Sequence, residues 1–322
     1  MSKNKENLHR QFSEDIKKGL TSTPKYLDSK YFYDEKGSQI FQQIMEMPEY
    51  YLTDCEFEIL KSQKEAITEA FKSSEGFDLI ELGAGDATKT KILLRHWSEK
   101  GVGFKYLPID INPEVLETLS ISLQKELPDV VVEPLTGTYF GVLKKLSGFS
   151  TRKKIIMVLG SNIGNLLHDK AIDFLKNIAA SMNKEDLLFI GFDQKKDPQI
   201  ILEAYSDKAG ITESFNKNLL HRINRDLGGN FEVENFQHWV SYNPQSGTCE
   251  SFLISKKTAE VHIKQLDLTV HFEPYEAIHL EISQKYDDST VAWLAGKSGL
   301  EIVQEFTDSR KYYKDYLLRV KP

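Results

Sequence analysis

The stretch Asp78-Leu79-Ile80-Glu81-Leu82-Gly83-Ala84-Gly85-Asp86-Ala87-Thr88 constrains the fold more than any other part of the chain. An apolar run with a carboxylate near its end reads as a strand. Two glycines one residue apart end it in a turn that another backbone or a ligand can approach closely. A helical stretch follows from Thr88 to Trp97, and a second strand-like run, Leu107-Pro108-Ile109, ends in Asp110. Strand, glycine turn, helix and strand-final acid make a nucleotide-binding βαβ unit, with Asp110 set to accept a ribose diol.

The identity of the nucleotide turns on two positions. A dinucleotide fingerprint carries a third glycine three residues after the second, so that a pyrophosphate can rest on the helix N-terminus. Here that position is Thr88. Glu81 stands two residues before the first glycine, where negative charge is awkward for a pyrophosphate but suits a cationic ligand. S-adenosylmethionine (SAM), with a sulfonium, an ammonium and one ribose, fits these positions better than NAD(P) does. An ordinary α/β turn with an incidental downstream acid is the plain alternative.

Strand-like runs recur at Asp78–Leu82, Phe104–Ile109, Val130–Glu133, Lys154–Leu159 and Leu187–Phe192. Helical segments lie between them at 89–97, 113–126, 139–146 and 169–182, and a helical period covers 54–72. This alternation predicts a parallel sheet covered on both faces, with ligands at the carboxyl ends of its strands. After Asp197 the pattern changes. Helices at 198–209 and 215–227 precede short alternating strands at 236–242, 249–255, 260–266, 268–272 and 277–283, which read as a meander. A helix at 290–297 then leads to Leu300–Phe306 and Tyr316–Val320, an antiparallel pair closing the first sheet. The expected division is an N-terminal segment (1–60) contributing to the substrate site, a cofactor domain (61–196 and 286–322) and an inserted substrate-binding cap (197–285).

Composition narrows the function. A net charge of −7, with Arg152-Lys153-Lys154 as the one basic triplet, argues against nucleic-acid or anionic-membrane partners. No apolar run is long enough to span a membrane, and the stretch Ser2–Lys18 is charged throughout, without a signal core. Two cysteines, Cys55 and Cys249, suggest no disulfide framework, and the eight histidines lack paired spacing, so no metal is expected. These features predict a cytoplasmic protein with a small-molecule substrate, acting as a monomer.

Further motifs carry a resemblance. They include Tyr31-Phe32-Tyr33-Asp34, Gly37-Ser38, Phe41, Pro48-Glu49-Tyr50-Tyr51, Glu81-Leu82-Gly83-Ala84-Gly85, Lys89-Thr90 and Leu159-Gly160-Ser161-Asn162-Ile163-Gly164-Asn165. Toward the C-terminus they continue with Ala204-Tyr205, Gly210-Ile211-Thr212, Phe215-Asn216, Asn224-Arg225 and Glu281-Ile282-Ser283. Nearly end to end, the chain resembles the histidine N-alpha-methyltransferases of ergothioneine biosynthesis. The resemblance implies a Rossmann-like class I methyltransferase, α/β, with a parallel-rich seven-stranded sheet and an inserted α+β cap. It implies SAM as methyl donor and up to three methylations of the α-amino group of free L-histidine, giving hercynine.

The resemblance also implies roles for particular residues. Tyr33, Gly83, Lys89, Asp110, Thr138 and Tyr139 would meet the cofactor. Asn165 and Tyr205 would hold the amino-acid end, although an asparagine there also suits a helix cap. Tyr50, Glu281 and Ser283 would read the imidazole, whereas an isolated strand glutamate is ordinarily just solvated. Tyr50, Tyr51 and Tyr205 are candidate walls for a growing cationic nitrogen, Tyr51 being the one that also suits plain core packing. Three positions depart from the family pattern. Thr138-Tyr139 replaces Asp-Phe near the adenine, Asn162 replaces Thr, and Ser251 replaces Met. The last two keep another amino acid, such as tryptophan or tyrosine, open as the acceptor. A SAM-binding protein without activity and an NAD-dependent oxidoreductase are the remaining alternatives.

Overall fold

The computed structural model describes residues 3–146 and 152–322, with side chains from Glu6 onward. Ser2, the first residue of the charged N-terminal stretch, lies outside the described residues. In chain order the helices are α1 (Lys3–Thr21), α2 (Glu35–Met45), α3 (Tyr51–Ser62), α4 (Lys64–Phe71), α5 (Thr90–Glu99), α6 (Pro113–Glu126), α7 (Tyr139–Leu146), α8 (His168–Ala179), α9 (Pro198–Tyr205), α10 (Ile211–Leu227) and α11 (Asp288–Lys297). The strands are β1 (Lys25–Tyr26), β2 (Phe77–Leu82), β3 (Phe104–Asp110), β4 (Leu135–Thr136), β5 (Lys153–Val158), β6 (Leu187–Asp193), β7 (Phe236–Asn243), β8 (Thr248–Ser255), β9 (Ala259–Ile263), β10 (Leu268–Phe272), β11 (Ala277–Gln284), β12 (Leu300–Thr307) and β13 (Tyr313–Val320). The chain divides into two compact units, Met1–Tyr51 with Lys196–Ser283, and Leu52–Lys195 with Gln284–Pro322.

The second unit carries a seven-stranded sheet of order β12-β13-β6-β5-β2-β3-β4. β4, β3, β2, β5 and β6 run parallel, and β13 and β12 close the sheet antiparallel, as their alternation predicts. The central strands are mostly apolar and buried along nearly their whole length because helices cover both faces. One face packs Ile80, Leu107, Ile156 and Ile190 against α8 and α11, and the other face carries an aromatic cluster of Phe71, Phe77, Trp97 and Phe189.

The first unit joins the N-terminal elements to the inserted segment. Its sheet has the order β1-β11-β8-β7, and β9 pairs with β10 alone. The core packs Phe12, Ile16 and Leu20 of α1 and Ile40 and Ile44 of α2 with Leu219, Leu220 and Ile223 of α10 and with Phe236, Leu253, Ile278 and Leu280 of the sheet.

Three local expectations are corrected. The single helix at 54–72 is two helices that break at Gln63, whose side chain donates to the Thr307 carbonyl at 2.7 Å. The strand at 130–133 reduces to one bridge, Tyr106 with Val132, because Pro134 has no N–H to continue the ladder before β4. The meander is instead two separate hairpins, β7–β8 and β9–β10, with β11 returning to pair beside β8.

Candidate active site

The second unit gathers Gly83, Lys89, Asp110, Thr138, Tyr139 and Asn165. β2, β3 and β5 are parallel, so their carboxyl ends deliver Gly83, Asp110 and the loop after Leu159 to one edge. Gly83 has φ +73°, which favours glycine, and a Cβ built on it would lie 2.6 Å from the Tyr139 hydroxyl. Gly85 faces open space. Asp110 accepts from the Asn112 backbone N–H at 2.8 Å, and Asn112 in turn caps α6 through the Glu114 N–H at 2.9 Å. Burial, with a smaller effect of Asp110, pushes the Tyr139 hydroxyl pKa up. Thr138 turns its hydroxyl to the Gly141 N–H at 3.3 Å at the start of α7.

Glu81 does a different job from the one its position suggests. It is not an open charge facing a cation, for it is buried beneath the turn. It accepts from the Thr90 hydroxyl at 2.6 Å and the Tyr106 hydroxyl at 2.5 Å. Burial outweighs these bonds and pushes its pKa up to about 7. The acid therefore fastens the start of α5 to β2 and β3.

The loop 160–165 is tightly braced. Gly160 (φ +77°) donates its N–H to both Glu56 oxygens at 2.9 and 3.0 Å. Ser161, at φ +54°, accepts the Asp193 N–H at 3.0 Å. Asn162 donates to the Leu159 carbonyl at 2.9 Å, so its amide serves its own loop. Asn165 is exposed and caps no helix, since α8 starts at His168 behind Leu167. Glu56, which sequence reasoning missed, also accepts from Lys89 Nζ. Its signal was its place in the buried stripe Leu52, Cys55, Glu56, Ile59, Leu60 of α3.

The first unit gathers Tyr33, Tyr50, Tyr205, Glu281 and Ser283. Tyr205, at the end of α9, and Ser283, on β11, share a hydrogen bond of 2.8 Å between their hydroxyls. The Tyr50 and Tyr205 rings meet edge to face at 6.2 Å, and Phe41 links Tyr50 (6.4 Å) to Tyr33 (5.3 Å). Glu281 and Ser283 alternate on one face of β11, and Glu281 is half-buried rather than solvated. Tyr33 is 46% exposed as a residue, but local burial of its hydroxyl, then Glu281 and Tyr50, raise its pKa. Tyr33 thus belongs to the same unit as the imidazole candidates and not to the unit of Gly83 and Lys89. Tyr51 is buried, and its hydroxyl accepts from Lys196 Nζ at 2.8 Å. Ser251 is buried on β8 opposite Val240.

Comparison with known proteins bears on this arrangement. Residues 12–320 match the family model described as a histidine-specific, SAM-dependent methyltransferase. A histidine N-alpha-methyltransferase from Mycobacterium tuberculosis is 34% identical over 300 residues, 93% of this chain and 92% of that protein. Ergothioneine biosynthesis protein 1 of Schizosaccharomyces pombe is 30% identical over 299 residues, 91% of this chain and 38% of that protein. An L-tryptophan methyltransferase from Psilocybe serbica is 26% identical over 325 residues, 92% of this chain and 90% of that protein. A match over nearly the whole chain, on a sheet of this topology, makes the protein a member of the histidine-specific, SAM-dependent methyltransferase family.

Proposed function

We propose that the protein methylates the α-amino group of free L-histidine from SAM, up to the trimethylated betaine hercynine, as a step of ergothioneine biosynthesis. The observation that carries this reading is the cluster of Glu281, Ser283, Tyr205, Tyr50 and Tyr33 in one unit, inside a chain that is 34% identical to a histidine N-alpha-methyltransferase.

SAM, when bound, supplies an electrophilic methyl group on a sulfonium. The open glycine turn and the strand-final Asp110 suit it, the carboxylate taking the ribose diol in charge-assisted hydrogen bonds about twice as strong as neutral ones. Lys89 lies next to the same turn. In this reading Glu281 accepts an imidazole N–H, and Ser283 and Tyr205, hydrogen-bonded to each other, act as one unit toward the amino acid. Asn165 offers an amide to the amino-acid end. The attacking amine must be neutral, and a single proton loss near its ordinary pKa suffices, so no dedicated strong base is assigned. Successive rounds leave a larger and more cationic nitrogen. Tyr33, Tyr50 and Tyr205 suit it as aromatic walls, with cation–π attraction of about 0.5–2 kcal/mol.

Histidine is favoured over tryptophan and tyrosine because the chain is 34% identical to a histidine N-alpha-methyltransferase and only 26% identical to an L-tryptophan methyltransferase. No described helix is long and apolar enough to cross a membrane. Cys55 and Cys249 are buried and outside any disulfide, which suits a reducing compartment, and the reading puts the enzyme in the cytoplasm as a monomer. A competition assay with SAM and an equimolar mixture of free amino acids tests the substrate. Histidine is expected to take the label, and preferential labelling of tryptophan or tyrosine would overturn the reading.

A further inference from the structure

Two carboxyl groups lie buried together in the second unit, beside Lys89. Glu56 and Asp315 are both fully buried. Glu56 accepts from Lys89 Nζ, from the Tyr313 hydroxyl at 2.9 Å and from the Gly160 N–H. Asp315 sets its carboxyl beside that of Glu56, and neither of its oxygens has a hydrogen-bond donor among the described residues. The fold makes room for the pair. Asp315 on β13 faces Gly191 on β6, and a Cβ on Gly191 would stand 2.6 Å from Glu56 Oε1 and closer still to the Tyr313 hydroxyl.

Two neighbouring carboxylates in a buried site cannot both stay ionised beside a single cation. Glu56 has three donors and Asp315 has none, so the proton belongs on Asp315. Burial first, and then the Glu56 charge, drive the Asp315 pKa up, with Lys89 pulling the other way. The other groups that face the pair fit this assignment. Tyr313 is neutral and donates, Asp193 on β6 is neutralised by Lys285 at 2.7 Å, and Glu81 on β2 is engaged by Thr90 and Tyr106.

We propose that Glu56 and Asp315 share one proton and act as positioning residues, leaving a single fixed carboxylate that sets Lys89 toward the cofactor and the Gly160 end of the loop that carries Asn165. This rests on the reading of Lys89 as a cofactor-side residue. Tyr313 and Gly160 fix the carboxylate, and the lysine is fixed through it.

The test measures the SAM dissociation constant by calorimetry for wild type, Lys89→Met, Glu56→Gln and the double variant, with folding verified by circular dichroism. Glu56→Gln keeps an oxygen for Gly160 and Tyr313 and loses only the charge. Each single variant is expected to weaken SAM about tenfold or more. The double variant should lie within about twofold of the weaker-binding single variant, because contacting residues are not additive. The KM for histidine should move less than the SAM constant does. If Glu56→Gln does not fold, Glu56→Asp, which draws the carboxylate back by one methylene, replaces it in the same cycle. An infrared difference spectrum of wild type against Asp315→Asn at neutral pH should show the carbonyl band of a protonated carboxyl group in wild type alone. Additive losses, or absence of that band, would overturn the proposal. Unchanged SAM binding in Lys89→Met would instead overturn the assignment of Lys89, and the proposal with it.

Discussion

At the residue scale, the acids divide by where their charge can go. Glu281 is half-buried in the first unit, near enough to the Tyr33 hydroxyl for its charge to raise that group's pKa. Glu281→Ala is expected to weaken histidine binding by about 1–3 kcal/mol, because one imidazole N–H loses its acceptor, while SAM binding changes little. Calorimetry with each ligand separates the two, and equal losses would contradict the assignment. Glu81 is a different case. Its folded pKa of about 7 lies above the ordinary carboxylate value, so its burial costs nothing at pH values where both states are protonated. The cost grows as pH rises from the ordinary value, near 4.5, to about 7, then stays constant. Glu81→Gln should therefore gain on wild type in thermal stability across that window, and parallel Tm-against-pH curves would contradict this. The placement of Gly83 and Asp110 at one edge of the sheet was legible in the sequence because the glycine turn and the strand-final acid have a spacing with a mechanism behind it. Glu81 was read as an open charge because sequence spacing does not show that Thr90 and Tyr106 fold over it. Glu56 was hidden for the same reason, since its partners Lys89, Gly160, Tyr313 and Asp315 come from four distant segments.

At the element scale, short motifs turn out to be joints. Asp34 caps α2 through the Gly37 N–H at 2.8 Å and receives Asn218 and Arg225 of α10 at the same distance. Burial raises its pKa, and these bonds outweigh burial and hold it below the usual carboxylate range. Asp34→Ala is expected to cost about 1–2 kcal/mol in urea unfolding, the scale of a lost cap, and a loss under about 0.3 kcal/mol would show that α2 does not depend on it. The motif containing Asn224 is likewise structural, its amide pairing with both backbone groups of Phe231 at 2.8 and 2.9 Å. Periodicity located the parallel strands and most helices, because a strand buried on both faces is a continuous apolar run. It did not reveal strand pairing after residue 236. Alternating short strands carry the same pattern whether they form a meander or two hairpins, and β11 chooses β8 through packing that is remote in sequence.

At the scale of the whole molecule, the proposed site residues fall in two units that each interrupt the other in the chain. The glycine turn, Lys89, Asp110 and Asn165 belong to one, and Tyr33, Tyr50, Tyr205, Glu281 and Ser283 to the other. Change of pattern along the chain marks where the inserted segment starts. It does not show that α1, β1 and α2 pack with it, because that association rests on long-range contacts such as Lys25 with Ile278 and Tyr26 with His279. The central claim is that this chain moves methyl groups from SAM to the α-nitrogen of histidine. The most direct measurement is mass spectrometry of the product formed from purified protein, SAM and free L-histidine, with fragmentation to locate the added mass. The account predicts additions of one to three methyl groups, all on the α-nitrogen. Histidine recovered unmodified, or methylated on the imidazole ring, would contradict it.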